Sequence, residues 1–305
     1  MDEQKNQEEY KRFEAASKKF SQIFNELNTN NIDSIDKYID PFWKGTIQKV
    51  EDFLLPIPPF NFLDFPEIMN TMVPQEFGDR FVYQYNYLKN KLTEPQLKTS
   101  IEENVVGDPT SGVVDFEITT SSNAVHQAYH IHNWLDKTKT NVNKVNTIFE
   151  WGGGYGNMAK LVKRIFDNKN LTYILADIPI FCALQWLYLS SVFGEENINV
   201  ITPTKQAVKP GKINIISVGS LKLLQGFKPD LFLSTWALSE SQPEALEVFD
   251  VLSGGIEHYL VAMHLGTDLF NKETVQKLVS YLENEGCRKE KMEFFPQDEQ
   301  YYFLK

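Results

Sequence analysis

Glu150 and Asp177 are the two acidic residues whose placement first suggests chemistry. Each ends an apolar run: Thr147–Phe149 leads into Glu150, and Leu171–Ala176 leads into Asp177. Between them lies the bend Gly152-Gly153-Gly154-Tyr155-Gly156, followed by a helical pattern from Asn157. Glycine suits such a bend because side chains would keep a ligand off the backbone and because the turn needs positive φ. The helix that follows offers free N–H groups and a partial positive end. A carboxylate at the tip of the neighbouring strand can accept both hydroxyl protons of a ribose.

Two cofactors fit this arrangement. Gly154-Tyr155-Gly156-Asn157-Met158-Ala159 satisfies the G-x-G-x-x-A pattern, so an NAD- or FAD-dependent oxidoreductase is one reading. Glu150 favours the other. A carboxylate so close to the first glycine repels a pyrophosphate but suits the positively charged amino acid portion of S-adenosylmethionine. A ligand-free strand-to-helix turn is the bland alternative, and the pairing of the glycines with Glu150 and Asp177 speaks against it.

The elements that must hold these residues show in the alternation of patterns. From Thr147 onward, short apolar runs at 147–151, 172–177, 213–218, 230–236 and 258–264 alternate with amphipathic helices, which predicts a mostly parallel sheet covered on both faces. A last helix near 271–285 precedes Lys291–Phe295, a Pro-Gln-Asp-Glu-Gln turn and Tyr301–Leu304, read as an antiparallel C-terminal hairpin at one edge. Upstream, Tyr10, Phe13, Phe20, Phe24 and Leu27 form one helical stripe over 1–28, and Phe42, Ile47, Val50 and Leu54 form another that stops at Pro56. More helix is expected over 76–92, then a turn at Gly107-Asp108-Pro109, then a helix to about Thr138 capped by Ser121, Ser122 or Asn123. The change of pattern near 110–125 divides the chain into a helical N-terminal region, 1–115, and an α/β domain, 116–305.

Glu-x-Gly-x-Gly-x-Gly from Glu150 resembles the first motif of class I S-adenosylmethionine-dependent methyltransferases, and the C-terminal hairpin resembles the reversed last strand of their Rossmann-like fold. More specifically, Glu150–Gly156, Tyr173-Ile-Leu-Ala-Asp177-Ile-Pro179 and Tyr188-Leu189 are similar to the sugar O-methyltransferase family of bacterial surface-polysaccharide clusters. Asp230-Leu-Phe-Leu-Ser-Thr-Trp-Ala-Leu-Ser239-Glu240 and Gly107-Asp108-Pro109 are similar to it as well. The likeness covers about residues 100–265. It implies an O-methyltransferase that acts on a hydroxyl of a sugar or sugar nucleotide in polysaccharide biosynthesis. It also implies that Asp177 holds the ribose, that Val218 and Gly219 line the adenine, and that Gly152, Gly154 and Gly156 hold the methionine part. Methylation of another small metabolite, and a catalytically inactive partner subunit that keeps the cofactor pocket, are the rival readings.

Ligands of such sheets sit outside the carboxyl ends of the strands. The strand-end residues there include Thr235, Trp236, Glu240 and His264. Trp151, Tyr155 or Trp236 offers an aromatic face to a sulfonium. A sugar hydroxyl is a poor nucleophile until its proton is being removed, so His264 and Glu240 are the candidate general bases. His126, His130 and His132 lie on the helix before the first strand. His126 and His130 share a helical face, but no third ligand stands at a telling spacing, so no metal is expected. His130 and Tyr129 are read instead as acceptor contacts.

The 30 Lys and Arg against 41 Asp and Glu give a net charge of −11, and no basic stripe relieves it, which disfavours a nucleic acid partner. The apolar stretch Ile178–Phe193 is too short and mixed to span a membrane and reads as a buried helix. Two cysteines, Cys182 and Cys287, far apart in sequence, and a charge-dense N-terminus point to a reducing cytoplasmic setting. The N-terminal region is expected to cover the substrate, and it is the candidate surface for a homo-oligomer.

Overall fold

In the computed structural model, residues 3–73, 77–252, 254–266, 270–295 and 299–305 are described. The N-terminal region is helical: α1 (Glu3–Ser17), α2 (Phe20–Thr29), α3 (Pro41–Leu54), α4 (Pro66–Met72), α5 (Asp79–Lys91) and α6 (Glu94–Ile101). The single stripe expected over 1–28 is broken at Lys18-Lys19, and α1 and α2 both pack along a later helix. Asp40 caps α3 by accepting from the N–H of Phe42, with Pro41 in the first turn. Strands β1 (Ser111–Val113) and β2 (Thr119–Ser121) form a small antiparallel ladder leading into α7 (Ser122–Thr138). The Ser121 hydroxyl accepts from the N–H of Ala124 and fixes the start of α7.

The main sheet contains β3 (Thr147–Trp151), β4 (Thr172–Asp177), β5 (Ile198–Ile201), β6 (Ile213–Ser217), β7 (Leu231–Thr235), β8 (His258–His264), β9 (Arg288–Lys291) and β10 (Gln300–Leu304). Their spatial order is β5-β6-β4-β3-β7-β8-β10-β9. All neighbours run parallel except β10, which is antiparallel to both β8 and β9. Helices α8 (Asn157–Ile165), α9 (Pro179–Phe193), α10 (Val248–Val251) and α11 (Lys272–Asn284) complete the α/β part. This mostly parallel sheet with its reversed C-terminal strand and helical N-terminal region is the Rossmann-like class I methyltransferase fold.

Alternation along β3 separates two apolar layers. Phe149 and Trp151 join the core formed with Phe232, Leu252 and Leu278, whereas Ile148 points to the layer of Tyr173, Leu184 and Leu187. Phe13, Phe20 and Phe24 from the N-terminal helices belong to that second layer, so helices and sheet share one core. A buried polar network also ties them. Lys160 on α8 pairs with Glu103 at 2.5 Å, the Ser121 hydroxyl donates to Glu103, and Asn104 donates to Glu9 on α1.

Two expectations about the strands are corrected. β5 was not anticipated, and β9 lies at Arg288–Lys291 rather than Lys291–Phe295. Edge strand β9 is mostly exposed and carries charges, so it lacks the apolar signature that Phe294 and Phe295 display; those two rings pack on each other instead. Pro296–Asp298 of the expected turn and Glu76 of the expected helix lie outside the described residues.

Candidate active site

The strand order reverses at β3, whose neighbours are β4 on one side and β7 on the other. A crevice opens there, beyond the carboxyl ends of the strands. The Gly152–Gly156 bend forms its floor. Gly152, Gly154 and Gly156 have φ of 73°, 56° and 98°, the left-handed region that glycine occupies without strain. A Cβ on Gly152 would overlap that of Ala237, so the loops after β3 and β7 touch at this point. Gly156 is the N-cap of α8, and Met72 of α4 lies over Gly154.

The resulting cavity has a volume of about 430 Å³. Glu150, Gly152, Gly154, Asp177, Val218, Thr235, Trp236, Glu240 and His264 line it together, although they come from five strand ends. Gly156 stands behind the bend. Gly219 faces the N-terminal segment: its carbonyl accepts from the N–H groups of Ile32 and Asp33, and Asn31 fills the space beside it. Tyr129 and His130 do not border the cavity. Tyr129 packs on Tyr87 and Phe294, and His130 is wholly buried and bonded to His126 and Tyr302, because the outer turns of that helical face turn into the core. His132 hydrogen-bonds Ser100, and burial holds its pKa down to about 4.

Glu150 and Asp177 are both buried beside the bend. Burial, reinforced by Asp177 and offset in part by the Tyr173 hydroxyl donating at 2.8 Å, pushes Glu150 up to about 8. Asp177 accepts from the N–H of Ile178 at 2.8 Å and from Gln185 Nε2 at 2.9 Å, yet burial still lifts it to about 7. Neither has an ion-pair partner among the described residues. Two desolvated carboxyls without a cation are complementary to a ligand that brings positive charge and hydroxyl donors.

Orphaned amide groups sharpen that demand. Both side-chain polar atoms of Asn157, the first residue of α8, lack hydrogen-bond partners among the described residues, as do Asn123 Oδ1 and Gln127 Oε1. All three residues line the cavity. Asn123 is oriented by its Nδ2, which donates to the Tyr155 hydroxyl at 2.8 Å. Buried polar groups are rarely left unpaired, so these mark where a ligand supplies donors and acceptors. Glu240 also lines the cavity near Asp40, and burial together with that carboxylate raises it to about 7.

Sequence reasoning missed Asn123, Gln127 and Asn157 as site residues and the Tyr38–Trp43 segment as a wall. Asn157 has a signal in its position directly after Gly156, the last glycine of the bend. In the sequence Asn123 stands out only as a possible helix cap, and the N-terminal residues belong to no motif.

Among the described residues, no group of three or more His, Cys, Asp or Glu side chains is placed to hold a metal ion. Within the same residues, no helix is long and apolar enough to cross a membrane. Cys182 and Cys287 are buried and unpaired, and burial pushes both thiols up.

The strand order and the reversed last strand define a Rossmann-like α/β fold of the class I methyltransferase kind. No protein family and no curated protein matches the sequence. Solved structures similar to it include an O-methyltransferase family protein from Burkholderia thailandensis, with 11% identity, a TM-score of 0.39 and 59% of each chain covered. Fibrillarin from Aeropyrum pernix, solved with natively bound S-adenosyl-L-methionine, shows 13% identity and a TM-score of 0.40 over 68% of this chain and 86% of its own. An O-methyltransferase family 2 protein from Planctomyces limnophilus, in complex with apigenin, shows 10% identity and a TM-score of 0.34 over 54% and 52%. The chain thus spans less than two thirds of the Burkholderia and Planctomyces proteins.

Proposed function

We propose that the crevice binds S-adenosylmethionine and that the protein is an O-methyltransferase acting on a hydroxyl of a sugar or sugar nucleotide. The supporting observation is the pair of buried carboxyls, Glu150 and Asp177, facing a glycine bend that leaves room for a ligand against the backbone. A pyridine dinucleotide would bring its pyrophosphate against Glu150 and keep that carboxyl protonated, whereas an ammonium group favours its ionised form. Glu150 suits the ammonium of the methionine part, and Asp177 the ribose hydroxyls. Asn157 and Asn123 offer the unpaired amide groups that the amino acid carboxylate and ammonium require. Val218, Thr235 and Trp236 are the assigned apolar and aromatic contacts, and Gly219 stays behind that wall.

When bound, the cofactor supplies an electrophilic methyl carbon. The chain's own task is to place an acceptor oxygen behind that carbon and to receive its proton. Glu240 fits the second role because a carboxyl held near 7 is ionised in about half the molecules at neutral pH and takes a proton readily. His264, at the carboxyl end of β8, is the other candidate base. Trp43, Met69 and Met72 of the N-terminal helices stand on the wall of the crevice and cover part of it from solvent.

Incubation of the full chain with methyl-labelled S-adenosylmethionine and a panel of nucleotide sugars tests this function. Label transfer to at least one member is expected. Cofactor binding with no transfer to any hydroxylated acceptor would instead favour a partner subunit that lacks chemistry.

A further inference from the structure

Among the described non-glycine residues at positive φ, Trp236 alone lines the cavity, with φ of 66°. A bulky residue adopts that conformation only where its surroundings over-determine it. Here they do. The Trp236 N–H on the backbone donates to the Ala262 carbonyl at 2.7 Å, and the indole Nε1–H donates to Gln300 Oε1 at 3.1 Å. One indole face rests on the His126 ring, 5.6 Å away and 19° from parallel, and the His130 ring meets it edgewise at 5.3 Å.

Those two imidazoles are fixed in turn. Gln84 Nε2 lies 2.9 Å from His126 Nδ1, the two Nε2 atoms of His126 and His130 are 3.1 Å apart, and His130 Nδ1 meets the Tyr302 hydroxyl. Burial holds both rings far below the ordinary histidine range, so a neutral, hydrogen-bonded pair backs the indole. Beside it, Gln127 brings an unpaired carbonyl oxygen to the same cavity, and the His264 ring lies 6.4 Å from the indole.

A flat ring locked in a strained conformation, backed by neutral rings and flanked by an unpaired acceptor, is a stacking platform. We infer that Trp236 carries the methyl acceptor by the apolar face of a hydroxylated ring, that Gln127 Oε1 receives one of its hydroxyls, and that His126 and His130 are positioning residues for the indole. This rests on the methyl-transfer reading and assigns Trp236 mainly to the acceptor.

The test uses the full chain saturated with S-adenosylhomocysteine and labelled with nitrogen-15 at its indoles, the Trp236 signal being assigned from a Trp236→Phe variant. UDP-glucose, UDP-galactose and GDP-mannose are the probes, with UDP and GDP as controls. At least one sugar-bearing probe is expected to move the Trp236 signal saturably where its nucleotide alone does not. Trp236→Leu is expected to weaken that probe about tenfold and Trp236→Phe less than about threefold, the scale of one aromatic contact, with S-adenosylhomocysteine affinity falling less than that of the probe in Trp236→Leu. Gln127→Met gives an independent reading without touching the strained residue and is expected to weaken the probe by about fivefold or more. His126→Ala is expected to displace the unliganded Trp236 signal and weaken the probe, while His126→Phe, which restores a flat backing ring, recovers most of the affinity. A probe that binds without moving the Trp236 signal, full affinity in both Trp236→Leu and Gln127→Met, or binding of S-adenosylhomocysteine with none of the probes would overturn the inference. Failure of the native chain to bind S-adenosylhomocysteine would overturn the methyl-transfer reading instead.

Discussion

Glu150 and Asp177 end adjacent parallel strands, β3 and β4, and both carboxyls are buried with pKa values lifted to about 8 and about 7. Each therefore holds its proton well into the neutral range while the crevice is empty. A ligand that carries an ammonium and a ribose binds best to the ionised forms, so binding and proton release are linked. The affinity for S-adenosylmethionine is expected to rise with pH between about 6 and 8.5, and calorimetry in buffers of different ionisation enthalpy should show protons leaving on binding. A flat profile would separate these carboxyls from the ligand.

Replacing Asp177 with Ala is expected to weaken the cofactor by about 1–3 kcal/mol, through loss of charge-assisted hydrogen bonds. Unchanged affinity would remove Asp177 from the ribose role.

The same burial makes Glu150 a liability for the empty protein. Its folded-state pKa of about 8 exceeds the ordinary value of 4.5, so the native chain binds more protons than the unfolded chain between those pH values. Stability contributed at this position thus falls as pH rises through that window. Glu150→Gln keeps an acceptor for Tyr173 and removes the charge. It is expected to stabilise the empty protein at pH 8 by about 1–3 kcal/mol in denaturant titration while weakening the cofactor. A less stable variant would show that the carboxylate is better solvated than its burial suggests.

The glycines of the bend serve different ends. Alanine at Gly152 would press its Cβ into Ala237, and φ of 73° adds strain. At Gly154 the new Cβ would meet Met72 only at ordinary contact distances of 3.5–3.6 Å, leaving the backbone cost of about 1 kcal/mol. Gly152→Ala should therefore lower the melting temperature more than Gly154→Ala does. Equal effects would mean that conformation alone, and not the contact between loops, requires Gly152.

The strand-helix alternation of 147–264 was legible because those strands are buried on both faces and read as plain apolar runs. The acidic strand tips and glycine bend were legible for a related reason: few sequences need four glycines next to a carboxylate without a ligand. Where a strand is short or at an edge, as in β5 and β9, burial no longer writes itself into the pattern. Acceptor contacts were harder still. Nothing in Tyr129-His130 against Asn123 or Gln127 reveals which residues of α7 face the cavity, since that depends on how α5 and the C-terminal hairpin pack on the helix. The Tyr38–Trp43 wall likewise arises only from folding back of the N-terminal region.

Glu240, as a base with pKa near 7, predicts that kcat rises with pH through about 7 and levels off once the carboxyl is ionised. Glu240→Gln is expected to lower kcat by about 100-fold and abolish that rise, with cofactor affinity little changed. Persistence of the profile in this variant, and its loss in His264→Gln, would transfer the role to His264.

Calorimetric titration of the full chain with S-adenosylmethionine and, separately, with NAD decides which cofactor the crevice prefers. Saturable one-to-one binding of S-adenosylmethionine with no heat of binding from NAD is the predicted result. Saturable binding of NAD with none of S-adenosylmethionine would contradict it.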